Sequence, residues 1–144
     1  MLRDQHSVAT QLSFALYGAA NRMVRMHRPL LEPLGLTFPQ YLAILALLDG
    51  APLPVGALGG RLDMDTGTIT PLVKRLEGAG LVTRTRDPND ERRVMVDLTA
   101  RGRGLEAEVR GITKKIKSAC QLTEDDVDAL RATLEALAHP ANEE

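Results

Sequence analysis

The sequence predicts a mainly α fold with one small β-hairpin, and three observations carry that reading. Apolar residues recur at intervals of three and four along most of the 144 residues, the mark of helices that bury one face. That rhythm gives way once, between Leu81 and Leu98, to the two-residue alternation of strands on either side of a turn. Aromatic residues make up only 3% of the chain and Trp is absent, so the buried faces must form aliphatic cores. With 44% hydrophobic content, the length fits one domain with its own core and leaves no room for a separate catalytic domain.

Each element has its own signal. From Val8 to about Leu31, residues Leu12, Leu16, Ala19, Ala20, Met23 and Val24 share a helical stripe, which Pro29 should kink or close. A second helix is predicted after Thr37, with Pro39 in its first turn, and runs through Tyr41, Leu42, Ile44, Leu45, Leu47 and Leu48 to Asp49-Gly50. Pro54 should start a short third helix through Val55, Leu58 and Leu62. A fourth, from Thr66 to Ala79, is announced by Asp65, whose carboxylate can accept the orphan N–H groups of the first turn, and should be closed by Gly80 in the left-handed conformation. Leu81-Val82-Thr83-Arg84-Thr85-Arg86 and Arg93-Val94-Met95-Val96-Asp97-Leu98 read as strands around the turn D-P-N-D-E-R. Thr99 should cap a helix from Ala100 towards Ala119, and Thr123 with Glu124-Asp125-Asp126 opens a last one through Val127, Leu130, Leu134 and Leu137. Little is left in the chain to cover that last apolar stripe, so a second copy is expected to bury it.

The fourth helix and the hairpin carry the chemistry. Ile69, Leu72, Val73, Leu76 and Ala79 give the helix a buried face, which leaves Thr66, Gly67, Thr68, Thr70, Pro71, Lys74, Arg75 and Gly78 outward. Small residues near the N-terminus let a backbone approach base edges, Thr can meet a thymine methyl, and Lys74 and Arg75 can reach guanine or phosphate. Strand alternation puts Arg84 and Arg86 on one face, while Asp90 is two positions before Arg92 and could brace and aim its guanidinium, with Arg93 beside it. A hairpin tip with an aimed Arg suits a narrow, strongly negative minor groove. Helix and hairpin together imply a duplex DNA partner. Taken singly they are a solvated helix face and a surface ion pair, and the same surface could serve protein contacts.

At this point the chain resembles a known family. The string L-D-x-D-T-G-T-I-T-P-L-V-K-R-L-E-x-x-G-L-V-T-R, then D-P-N-D-E-R-R-V-x-V-x-L-T-x-x-G, is similar to the MarR family of winged-helix transcription regulators, and the likeness spans nearly the whole chain. Gln11-Leu12-Ser13-Phe14-Ala15-Leu16-Tyr17 and the run from Arg28 to Leu42 resemble its organic hydroperoxide resistance regulator (OhrR) branch. The resemblance implies a winged helix-turn-helix at residues 34–99 within a single domain of residues 1–144, with 1–33 and 100–144 as dimerisation helices. It implies a homodimeric, sequence-specific DNA-binding repressor that reads a pseudo-palindromic operator.

Charge and composition fit these expectations. The net charge is only −1, yet basic residues outnumber acidic ones nine to seven from Arg61 to Arg103, and from Gln121 onward Arg131 alone opposes seven acids. Such asymmetry lets one surface meet phosphate while another faces away. Met1 to Thr10 is polar and no apolar run could span a bilayer, so the expected place is the cytoplasm, with no membrane partner. His6, His27 and His139 are scattered, no Ser stands in a nucleophile elbow, and no phosphate-binding glycine loop appears, so neither enzyme, metal site nor cofactor is expected.

The sensor departs from the branch. The resemblance places a cysteine at position 13, whose thiolate peroxide would attack, and tyrosines at 27 and 38, which would hydrogen-bond it across the dimer. This chain has Ser13, His27 and Phe38, and keeps Tyr17 and Tyr41. A serine hydroxyl cannot take over thiolate oxidation. A lone Cys-to-Ser change would fit an engineered form of a peroxide sensor, whereas three coordinated departures fit a natural protein that lost or traded the chemistry. Ser13, Tyr17, His27, Phe38 and Tyr41 could line a cavity for a small aromatic or phenolic effector. Alternatively His27 is a surface helical residue and Phe38 a staple before the second helix. Cys120, the one cysteine, reads as a semi-buried filler, able to form a disulfide only with another molecule.

Overall fold

The computed structural model describes residues 7 and 11–141. Its elements are helix α1 (Leu12–Leu31), a 3-10 turn (Glu32–Leu34), α2 (Phe38–Gly50), strand β1 (Leu53–Pro54), α3 (Val55–Arg61), α4 (Thr66–Gly78), β2 (Val82–Asp87), β3 (Asp90–Leu98), α5 (Ala100–Arg103), α6 (Glu106–Ala119) and α7 (Glu124–Ala138). The expected start of the first helix at Val8 lies outside the described residues. The chain divides into two compact units, Met1–Ile112 and Thr113–Glu144, with the division inside α6.

In the first unit the sequence signals become visible bonds. Thr37 caps α2 through a reciprocal pair, the Gln40 N–H donating to Thr37 Oγ1 at 3.3 Å and the Thr37 N–H to Gln40 Oε1 at 3.0 Å. Pro29 closes α1 rather than bending its middle, because only Leu30 and Leu31 follow it before the 3-10 turn. The core is aliphatic: Ile44 and Leu47 of α2, Leu58 of α3, Ile69, Val73 and Leu76 of α4, and Val82 and Val96 of the sheet are fully buried. Each stabilises the unit by about 1.5–3 kcal/mol, and together they fix α4 against α2, α3 and the sheet. The turn between α3 and α4 depends on Gly59. A Cβ there would sit 2.8 Å from the Met64 carbonyl oxygen and 3.2 Å from Ile69 Cγ2, so only glycine lets the two helices cross this closely.

Three features differ from the sequence reading. The sheet has three strands in the order β1-β3-β2, because Leu53 pairs with Val96 and Pro54 with Met95 before the chain enters α3. Two residues are too few to show alternation, and Pro54 is tolerated because β1 is an edge. The hairpin turn is tighter than D-P-N-D-E-R: Asp87 ends β2, Asp90 begins β3, and Pro88 and Asn89 alone connect them. The carboxylates shorten it, Asp87 Oδ1 accepting from the Asn89 N–H at 2.9 Å and Asp90 Oδ1 from the Arg92 N–H at 3.1 Å. The helix expected from Ala100 to Ala119 is interrupted at Gly104 and Leu105, where the Leu105 N–H reaches back three residues to Gly102 rather than four. Two glycines in A-R-G-R-G weaken the helix, and Gly102 is held against the sheet, where a Cβ would lie 2.2 Å from the Leu81 carbonyl oxygen.

In the second unit Thr123 caps α7, with the Asp126 N–H donating to its Oγ1 and its own N–H donating to Asp126 Oδ2, both at 3.1 Å. No described residue of α7 is buried, and Leu130, Leu134 and Leu137 are 50%, 40% and 53% exposed. In α1, by the same measure, Leu12, Phe14 and Tyr17 stand exposed. No single helix among the described residues is long and apolar enough to cross a membrane.

Candidate nucleic-acid interface

The interface begins with the start of α4. Asp65 Oδ1 accepts from the Thr68 N–H at 2.9 Å, so the first turn is fixed with Thr66, Gly67 and Thr68 exposed around it. Ile69, Leu72, Val73 and Leu76 are buried, which turns Pro71, Lys74 and Arg75 outward and leaves Thr70 half-buried at the edge. Ala79 ends the helix and Gly80, at φ 77°, turns the chain straight into the sheet.

The hairpin continues the same surface. Val82 pairs with Leu98, Arg84 with Val96 and Arg86 with Val94, so the two arginines share a face with the valines of the opposite strand. That face is buried at its base and becomes cationic towards the tip. Between α4, the start of α3 and the hairpin lies a concavity of about 400 Å³. Its floor is apolar, with Val55, Ile69, Val73 and Val94, and Thr66, Thr70, Arg84, Arg92 and Arg93 rim it. Five of the twelve expected contact residues therefore meet at one groove. Gly67, Thr68, Pro71, Lys74 and Arg75 lie along the exposed side of α4 instead, while Arg86 donates to the Glu91 carbonyl at 3.4 Å.

Asp90 does not brace the Arg92 guanidinium as the sequence reading expected. Its carboxylate takes the main-chain N–H of Arg92 instead, because a two-residue separation at a strand start suits an Asx-type turn better than side-chain pairing. Arg93 faces Asp87 at 3.8 Å.

The residue that sequence reasoning missed is Glu77. Its Oε1 accepts from Arg84 Nη2 at 3.1 Å and from Nε at 3.3 Å, and its Oε2 accepts from the Arg84 N–H at 3.2 Å. These hydrogen bonds, reinforced by the Arg84 charge against some desolvation, hold the Glu77 carboxyl below its usual range. No periodicity links a helix residue to a strand residue seven positions on. An acid in the last turn of an otherwise basic helix was the available signal.

Most acids of the region are likewise engaged, exposed Glu91 at the hairpin tip being the exception among the described residues. Asp65 caps α4, Glu77 holds Arg84, Asp87 and Asp90 shape the hairpin, and Asp97 pairs with Arg103 at 2.9 Å. Lys74, Arg75 and Arg92, by contrast, have side chains with no hydrogen bond or ion pair among the described residues.

The five expected pocket residues fall into two groups. His27 is buried, 5% exposed, with its Nδ1–H donating to the Met23 carbonyl at 2.7 Å, which rules out the surface alternative for it. Its ring meets Phe38 edge-on at 4.8 Å and Tyr41 at 5.4 Å. Phe38 is the first residue of α2, half-buried against that imidazole. Ser13 and Tyr17 are exposed on the same unbroken helix as His27, and fourteen residues separate Ser13 from His27, or roughly 21 Å along the axis. One chain therefore does not close a pocket around all five. Cys120 is half-buried just past α6.

Similarity to known proteins agrees with this geometry. The family model described as MarR family matches residues 36–94, which run from just before α2 into β3. The regulator TtmR of Methylorubrum extorquens is 42% identical over 140 residues, covering 97% of this chain and 70% of that protein. The organic hydroperoxide resistance transcriptional regulator of Bacillus subtilis is 37% identical over 134 residues, covering 93% of this chain and 91% of the relative. The structure of reduced AbfR bound to DNA superposes with a TM-score of 0.76 at 30% identity, over 91% of each chain. A helix-turn-helix with a three-stranded wing, an α4 whose outward side is small, hydroxylic and basic, and relatives that match nearly the whole of this chain leave one assignment: the chain belongs to the MarR family of winged-helix transcriptional regulators.

Proposed function

We propose that two copies of this chain form a repressor that reads a pseudo-palindromic operator, each placing α4 in a major groove and its hairpin along the flanking minor groove. In this reading Thr66, Gly67, Thr68, Thr70 and Pro71 meet base edges, Lys74 and Arg75 reach guanine or phosphate, and Arg92 enters the minor groove with Arg86 and Arg93 beside it. Arg84 frames the groove and Asp90 shapes the hairpin tip. The single observation that carries the reading is electrostatic. With Asp65, Glu77, Asp87 and Asp90 engaged internally, the unpaired cations Lys74, Arg75 and Arg92 stand on the surface that bears the small helix N-terminus. The whole chain then acts as one domain, with 34–99 as the reading part and 1–33 and 100–144 as dimerisation arms, in the cytoplasm.

The exposed apolar residues of α1 and α7 support the dimer, since they are what a second copy would cover. The separation of Ser13 and Tyr17 from the His27, Phe38 and Tyr41 cluster supports a small aromatic or phenolic effector bound where two copies meet, shifting the spacing of the two readers. Organic hydroperoxide does not signal through position 13, because Ser13 has no thiolate to oxidise.

Titration of the purified protein with duplexes flanking its coding region, at several salt concentrations, tests the reading. Preferential binding of one duplex, with affinity falling steeply as salt rises, is the expected result. Equal binding to all duplexes, or affinity indifferent to salt, points instead to a module that uses this surface for protein contacts.

A further inference from the structure

We infer that Glu77 is a specificity-determining residue of the reader, acting through Arg84: it withholds that arginine from phosphate and so limits attraction to arbitrary DNA. The inference rests on the DNA-reading function proposed above and deepens it.

Arg84 stands on the rim of the groove between α4 and the hairpin, beside Arg92 and Arg93, where an unpartnered guanidinium would meet the backbone of a docked duplex. It is not unpartnered. Nε and Nη2 both donate to Glu77 Oε1, and the main-chain N–H of the same residue donates to Oε2. Both carboxylate oxygens are thus occupied by one residue. The pair ties the last turn of α4 to the third residue pair of the hairpin, counting from its base, and fixes the angle between reader and wing. Its net charge is zero at a place where the neighbouring cations are free or loosely held, Arg93 being 3.8 Å from Asp87. With the two side chains 29% and 39% exposed, the pair is within reach of a duplex and not sealed in the core.

The consequence for binding follows from what phosphate contacts do. A lone cation on this rim would attract phosphate in any register and on any sequence, because backbone contacts carry no sequence information. Nonspecific affinity is almost wholly this term, whereas the specific complex also depends on α4 and hairpin being held at the right angle. Neutralising Arg84 with a carboxylate that also sets the angle lowers the first without cost to the second. Glu77 thereby widens the gap between cognate and arbitrary DNA.

The test uses the full-length protein with two probes, a duplex selected from a random pool by the wild type and a random-sequence duplex, each titrated across a salt series. Glu77→Gln retains an oxygen acceptor but removes the charge. It is expected to tighten random-duplex binding by about three- to tenfold near 0.1 M salt and to steepen the salt slope by about 0.9 per protomer, the increment for one added phosphate contact. The selected duplex gains less, so the ratio of the two affinities falls. Arg84→Gln in the Glu77→Gln background, which keeps the site neutral, should abolish the gain and return the random-duplex slope to the wild-type value. A role confined to holding the fold would lower affinity for both duplexes with no change of slope, and would overturn the inference. So would Glu77→Gln binding indistinguishable from wild type, a gain that survives the double substitution, or a slope in the double variant shallower than wild type, which would make Arg84 a phosphate ligand already. A wild-type protein that does not distinguish the two duplexes overturns the DNA-reading function itself, a result separate from any of these.

Discussion

Arg92 is the residue on which the wing's contribution turns. Its main-chain N–H is fixed by Asp90, while its guanidinium is left free at the hairpin tip, so position and reach are set by different bonds. Arg92→Ala is expected to weaken binding to the preferred duplex by about 1–3 kcal/mol with an unchanged circular dichroism spectrum and melting temperature, measured by titration at fixed salt. Unchanged affinity would remove the wing from recognition. Glu77 gives a second prediction at this scale. Because hydrogen bonds from Arg84 depress its folded-state pKa, the pair's contribution to stability is fully present above the ordinary carboxylate range and is lost as pH falls through the depressed value. The difference in melting temperature between wild type and Glu77→Ala should therefore be flat around neutral pH and close only in acid. A difference that persisted undiminished at acid pH would mean that Glu77 acts through packing and not charge. The outward placement of the α4 residues was legible from spacing. Their internal partners were not, since Glu77 and Arg84 meet across a helix-to-strand turn that no periodicity encodes.

Helices follow their local signals closely at their side-chain caps and at Gly80. Asp65, Thr99 and Thr123 accept from N–H groups of the first turns that follow them, and Gly80 takes the left-handed conformation that ends α4. Departures occur where one element is shaped by another. β1 exists because Leu53 and Pro54 find β3, and the break between α5 and α6 follows from Gly102 lying against the Leu81 carbonyl. That close approach yields a prediction for the element: Gly102→Ala places a methyl where backbone oxygen already stands, forcing α5 away from the sheet. We expect a loss of about 1–3 kcal/mol in urea unfolding, and Gly56→Ala, whose Cβ would meet nothing within 4 Å, serves as the control with little change. Equal stability of the Gly102 variant and that control would show that the contact does not hold α5.

For the molecule as a whole, the unresolved question of a lone chain is what covers its exposed leucines. Leu130, Leu134 and Leu137 recur at helical spacing on α7 and remain 40–53% exposed, and α1 presents Leu12, Phe14 and Tyr17. Leu134→Glu should shift the protein from dimer to monomer in sedimentation equilibrium at micromolar concentration. Binding to a palindromic duplex should fall with it, since two half-sites are then engaged singly. A variant that remains dimeric would move the interface off this stripe. A dimer would also bear on the proposed effector residues, because Ser13 and His27 are too far apart along α1 to share a pocket within one chain.

Local chemistry written into the sequence determined the helices, their caps, the strand alternation and the polar face of α4, since each depends on residues within one or two turns of each other. It also carried the family resemblance, because that rests on the same contiguous run. The tertiary structure alone decided the third strand, the break after α5, the burial of His27 between Phe38 and Tyr41, and the engagement of Arg84 by Glu77. These depend on which surfaces meet once the aliphatic core collapses. A one-dimensional pattern records which side chains can be buried but not which neighbours they will find.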